Sequence, residues 1–131
     1  TLEEKALPYA KCPSGAPMVQ HALVTILELV HQGVITLERV VEKMCHAPAR
    51  LFDVSRRGYI REGHHADLVL VDLSAPWAVS KANLLYKCGW SPLEGQRFQS
   101  RVLRTWVNGN LVWDGERVNT SMRGQRLLFD R

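Results

Sequence analysis

The sequence predicts an α/β chain, helical in its first part and rich in strands after it. Three observations carry this prediction. Val19, Leu23, Ile26, Leu27 and Val30 fall at i, i+4, i+7, i+8 and i+11, which is one apolar face of an amphipathic helix. Residues 66–73 read Ala-Asp-Leu-Val-Leu-Val-Asp-Leu, a branched apolar run between turn formers. That pattern predicts a strand covered on both faces, the central strand of a small sheet. Asn108-Gly109 separates two further apolar runs. This is the strongest short hairpin signal, because a type I′ turn needs positive φ at both positions.

In chain order, residues 1–16 read as a loop punctuated by Pro8 and Pro13. Pro17 fits the first position of the first helix, where a missing N–H costs nothing. Gly33 fits its C-terminal cap. Thr36 can N-cap a second helix, with Glu38 in its first turn and Leu37, Val40, Val41 and Met44 on its apolar face. Pro48 disfavours helix at Ala47, so a stop is expected there, with a short third helix over 49–54. Arg56-Arg57-Gly58 reads as a turn and Tyr59-Ile60 as a short strand. Residues 74–100 read as irregular. The hairpin spans 102–113, and the polar tail after Val118 is expected to pack loosely.

Composition narrows the function classes. With 131 residues, 46% hydrophobic and 23% charged, the chain reads as one globular domain. No apolar run reaches the ~20 residues of a membrane helix, and the charged start has no signal-peptide core. The net charge is +4, but the basic residues form no cluster, which argues against nucleic acid. Cys12, Cys45 and Cys88 are odd in number and widely spaced, as expected of reduced thiols in a cytoplasmic protein.

Candidate chemistry is sparse. His21 and His31, ten apart on one helix, point about 80° apart and are separated by almost three turns. His64 and His65 face opposite sides of an extended chain. Surface or half-buried histidines are expected, and no metal site. Cys12, Ser14 and His21 have no spacing that demands a nucleophile and its base. Asp67 and Asp72 are expected to bond turn backbone at the two ends of their strand. The loop Pro13-Ser14-Gly15-Ala16-Pro17 differs from these. It is rigid, made of small residues, and runs into a helix. It suits equally a plain turn or backbone groups presented to a flat polar ring.

The order of motifs then resembles a known family. It runs from Pro-Ser-Gly-Ala-Pro (13–17) through Cys-His-Ala-Pro-Ala-Arg-Leu-Phe (45–52) and Gly-Tyr-Ile-Arg-Glu-Gly-His-His-Ala-Asp-Leu-Val-Leu-Val-Asp (58–72). Trp-Ser-Pro-Leu-Glu-Gly (90–95) and Val-Asn-Gly-Asn-Leu-Val (107–112) follow. Over nearly its whole length the chain is similar to the C-terminal part of dihydroorotases, cyclic amidohydrolases of the amidohydrolase superfamily. Gly-x-Ile-x-x-Gly-x-x-Ala-Asp-Leu-Val points to the superfamily. Thr-Leu-Glu-Glu-Lys at the start, with Trp-Ser-Pro-Leu-Glu-Gly, points to dihydroorotase.

The resemblance implies an α/β fragment: the closing loop and helices of a metal-dependent (β/α)8 barrel, then part of a small β-sandwich. Residues 1–55 would be the end of the barrel and 56–131 the sandwich portion with hairpin and tail. It implies a cytoplasmic enzyme of pyrimidine biosynthesis that interconverts carbamoyl aspartate and dihydroorotate. It also implies zinc, held by a His-x-His pair, a carboxylated Lys, two further His and an Asp, all expected before Thr1. This chain alone is then expected to be inactive, with no catalytic or metal-binding residue of its own. Ser14 and Gly15 match the backbone that contacts the pyrimidine ring, and Gln20 stands where the family more often has Glu. The native assembly is expected to be a homo-oligomer, or the chain to self-associate through an apolar face such as Leu23, Ile26 and Val30. Two alternatives stand beside this reading: a non-catalytic dihydroorotase-like scaffold that binds a partner enzyme, and an allantoinase- or dihydropyrimidinase-type cyclic amidohydrolase.

Overall fold

The computed structural model describes residues 1–130. Where residues 1–16 read as loop, a one-turn helix α1 (Leu2–Lys5) forms, because Thr1 and Glu4 make a capping box. The first long helix, α2 (Ala22–His31), starts five residues later than Pro17 suggests. The N–H of Gln20, which would open an intrahelical ladder, donates instead to the Tyr86 hydroxyl at 2.9 Å. Val19 is left 92% exposed, off the buried face. The far end behaves as expected. Gly33 adopts φ +70°, its N–H donates to Val30, and the Val34 N–H donates to Leu29 at 2.9 Å. This is a Schellman cap.

Helix α3 (Leu37–Val41) is N-capped by Thr36, whose hydroxyl accepts from the Arg39 N–H at 3.2 Å. Pro48 does not stop the chain there. A π-helical turn over Glu42–His46 leads directly into α4 (Ala47–Leu51). The Ala47 N–H donates to the carbonyl of Glu42, five residues back. The wider turn accommodates a ring that has no N–H to give and would crowd the carbonyl four residues back. Tyr59-Ile60 forms no strand; Tyr59 instead stacks on His46 with ring centroids 4.3 Å apart.

The strands are β1 (Leu68–Asp72), β2 (Trp77–Ala78), β3 (Arg97–Phe98), β4 (Arg101–Val107) and β5 (Asn110–Trp113). A two-stranded ribbon, β2 with β3, thus forms inside the stretch that reads as irregular. The hairpin β4–β5 is as expected, with Asn108 at φ 51° and Gly109 at φ 80°. The three-stranded sheet has the order β1-β4-β5, all antiparallel. The run at 66–73 is therefore an edge strand, and β4 is the central one. It is not covered on both faces either: Val69 and Leu70 are each 47% exposed. Strand order depends on partners far away in sequence, and the longer, hairpin-tethered β4 takes the middle place. Asp67 and Asp72 do cap turn backbone, accepting from the Asn108 N–H at 2.8 Å and the Ser74 N–H at 2.7 Å.

The core lies between α2 and the two sheets. Val24, Val79 and Phe98 are its buried centre, and Trp77, Leu84, Leu93 and Val102 pack around them. The tail is better tied than expected: Val118 bridges to Trp113, and Phe129 to Val54. Among the described residues no helix is long and apolar enough to cross a membrane.

Candidate functional site

Ser14 and Gly15 lie together on an exposed, irregular segment between α1 and α2. Gly15 has φ +87°, in the region that favours glycine. Lys5, at the end of α1, reaches across to this segment. Its ammonium donates to the carbonyls of both Pro13 and Gly15, the latter at 2.5 Å. The half-buried Cys12 thiol shares its single S–H between the carbonyls of Lys5 and Pro13, each at 3.6 Å. Its hydrogen bonds are spent on the loop, which leaves it a structural thiol.

Behind the loop, Gln20 and His21 anchor the start of α2 to the segment before β3. The Gln20 amide donates to the Asn83 carbonyl at 2.7 Å and accepts from the Leu85 N–H at 2.9 Å. A carboxylate at this position could not make the first bond. His21 is fully buried, contrary to the expectation of a surface or half-buried ring. It packs among Trp77, Tyr86 and Phe98, with Nδ1 3.3 Å from the Tyr86 hydroxyl. Its Nε2 is buried without a partner, and burial pushes its pKa below the usual histidine value. The His31 Nε2 lies 2.8 Å from the hydroxyl of the buried Ser100.

A second polar cluster joins α4 to the turn before β1. Arg50 pairs with Glu42 and donates to the Tyr59 hydroxyl at 3.0 Å, and Arg61 lies 4.3 Å over the Tyr59 ring. The Arg50 guanidinium holds the Glu42 carboxyl below its ordinary range. Arg57 is bound to Asp67 and Asn108. Burial raises the Asp67 pKa, but the Asn108 N–H and Arg57 outweigh it, and the net direction is downward. These charges are committed to one another, so the cluster braces the turn. Cys12, Cys45 and Cys88 are free thiols.

Among the described residues, no group of three or more His, Cys, Asp or Glu is placed to hold a metal ion. The 13–17 loop is a largely exposed backbone segment whose Pro13 and Gly15 carbonyls are bound by Lys5. The motif Thr-Leu-Glu-Glu-Lys contained that lysine, but nothing local in it shows a contact eight and ten residues away.

The class follows from comparison with known proteins. Residues 13–112 match the model of the amidohydrolase family, and the chain belongs to that family. Within it, the chain is 33% identical over 128 residues to the dihydroorotase of Pyrococcus furiosus, covering 98% of this chain and 30% of that protein. It is 38% identical over 119 residues to the dihydroorotase of Halobacterium salinarum, covering 91% of this chain and 28% of that one. The chain thus spans about a third or less of the curated relatives it matches. In structure it is similar to a D-hydantoinase, with a TM-score of 0.84 and 25% identity over 94% of this chain and 27% of the other. The L-hydantoinase (dihydropyrimidinase) of Arthrobacter aurescens gives a TM-score of 0.74 and 32% identity over 83% and 25%.

Proposed function

We propose that this chain is the C-terminal region of a cytoplasmic dihydroorotase, which interconverts carbamoyl aspartate and dihydroorotate in pyrimidine biosynthesis. The observation that carries the reading is the 33% identity to a dihydroorotase across 98% of the chain. The motifs Thr-Leu-Glu-Glu-Lys and Trp-Ser-Pro-Leu-Glu-Gly support it. In this reading residues 1–55 close a (β/α)8 barrel and 56–131 form part of a β-sandwich. The family's zinc is assigned to residues outside this chain. Ser14 and Gly15 bind and orient the ring amide through their backbone. The apolar groove of about 370 Å³ between α2 and the sheet, lined by Leu23, Val69, Val102 and Trp113 among others, is covered in the assembled enzyme.

The purified 131-residue chain is expected to hydrolyse no dihydroorotate and to self-associate through this groove. Turnover by the isolated chain would sink the assignment of the catalytic machinery to residues outside it, and light scattering of a monomer would sink the self-association. In the full-length protein, Gly15→Val is expected to raise KM about tenfold with little change in kcat, because a β-branched residue is strained at φ +87°. Unchanged kinetics would leave the loop a plain turn. The likeness to D-hydantoinase supports a second reading, a hydantoinase- or dihydropyrimidinase-type substrate. Rates on dihydroorotate, dihydrouracil and hydantoin decide between the two.

A further inference from the structure

We propose that Lys5 is a positioning residue whose ammonium fixes the carbonyls of Pro13 and Gly15 and so sets which polar groups of the loop meet a ring amide. The inference rests on the reading that Ser14 and Gly15 contact the substrate. One cation bound to two carbonyls eight and ten residues away ties α1 to the loop. Pro13 and Pro17 fix their own φ angles, but Gly15 between them has no such restraint. The space beside it is open, since a Cβ built on Gly15 would meet nothing within 4 Å. Among the described residues, the Lys5 ammonium is the one hydrogen-bond partner of the Gly15 carbonyl.

The clamp also edits what the loop offers. The Pro13 and Gly15 carbonyls are taken. The Ser14 carbonyl and the N–H groups of Ser14 and Gly15 have no partner among the described residues. With the Ala16 N–H and the Ala16 and Pro17 carbonyls also unpartnered among the described residues, the loop keeps both donors and acceptors for a ring that carries an N–H beside carbonyl oxygens. Without the cation, a flip of the Gly15–Ala16 peptide would put the Gly15 carbonyl where the Ala16 N–H stood, an acceptor against a substrate carbonyl.

The test uses the full-length protein with Lys5→Met, which keeps length and loses charge, and Lys5→Arg, which keeps a cation. Kinetics on dihydroorotate, NMR backbone order parameters of Ser14, Gly15 and Ala16 without ligand, and Tm are measured together. Lys5→Met is expected to raise KM about tenfold, in line with a lost charge-assisted hydrogen bond, and to lower the loop's order parameters below about 0.6, while kcat holds within about twofold. Lys5→Arg should recover most of both. A lower Tm with unchanged KM and unchanged loop order would make Lys5 merely structural and overturn the proposal. A wild-type protein inactive on every cyclic amide tested sinks the proposed function instead. In that case the order parameters still decide the clamp: a loosened loop in Lys5→Met supports it, and an unchanged one overturns it.

Discussion

Gly58→Ala is expected to destabilise the fold by about 3 kcal/mol, the sum of left-handed backbone strain and overpacking. Gly58 has φ +80° and lies against the π turn and α4. A Cβ on it would come within 2.5 Å of the Ala49 Cβ and 2.7 Å of the Cys45 carbonyl oxygen. Neither can yield cheaply. Ala49 is only 8% exposed, and Cys45 contributes backbone from the middle of the π turn. Gly63 supplies the control. It has nearly the same φ, +77°, but a Cβ there would meet nothing within 4 Å. Gly63→Ala should therefore cost only the backbone share, about 1 kcal/mol. Urea denaturation of the two variants reads the difference directly. Equal midpoints would mean that the approach to Cys45 and Ala49 relaxes without cost.

The features legible in the sequence are those decided within a few residues. Gly33 caps α2, Thr36 caps α3, and Asn108-Gly109 turns the hairpin, because each backbone need is met by chemistry at the same place. Asp67 and Asp72 belong to this group too, each accepting from turn backbone. What was misread depends on distant partners. The composition of β1 says that it is apolar but not which strands flank it, and its place at the edge is set by β4 and β5. The start of α2 is set by Tyr86, 66 residues downstream of Gln20. Pro48 looked like a stop because local rules count its missing N–H, whereas the π turn before it removes the conflict. At the candidate site, Ser14 and Gly15 were visible as a small-residue loop. The lysine that clamps them was not, since its motif reads as ordinary charged helix.

His21 should make the fold acid-sensitive before any carboxylate titrates. The unfolded chain takes up a proton on this ring at about pH 6.5. In the folded state burial lowers its pKa, so the proton binds only at lower pH. The unfolded state thus holds more protons in between, and stability falls as pH falls. The full contribution is present above about pH 6.5. Below it, stability is lost at about 1.4 kcal/mol per pH unit until the folded ring itself protonates. The physical cause is visible around the ring. A protonated imidazole donates from both nitrogens, yet Nε2 is buried without a partner. Nδ1 faces a Tyr86 hydroxyl that already accepts from the Gln20 N–H. His21→Phe keeps an aromatic ring against Phe98 and Trp77 and removes the proton site. Chemical denaturation between pH 7.5 and 5 is expected to show wild-type stability declining more steeply than the variant's, by up to this slope. The other four histidines are common to both proteins, so the difference between the two curves isolates His21. Parallel curves would show that the buried ring is protonated as readily folded as unfolded, and that the packing of α2 on β3 opens to admit the charge.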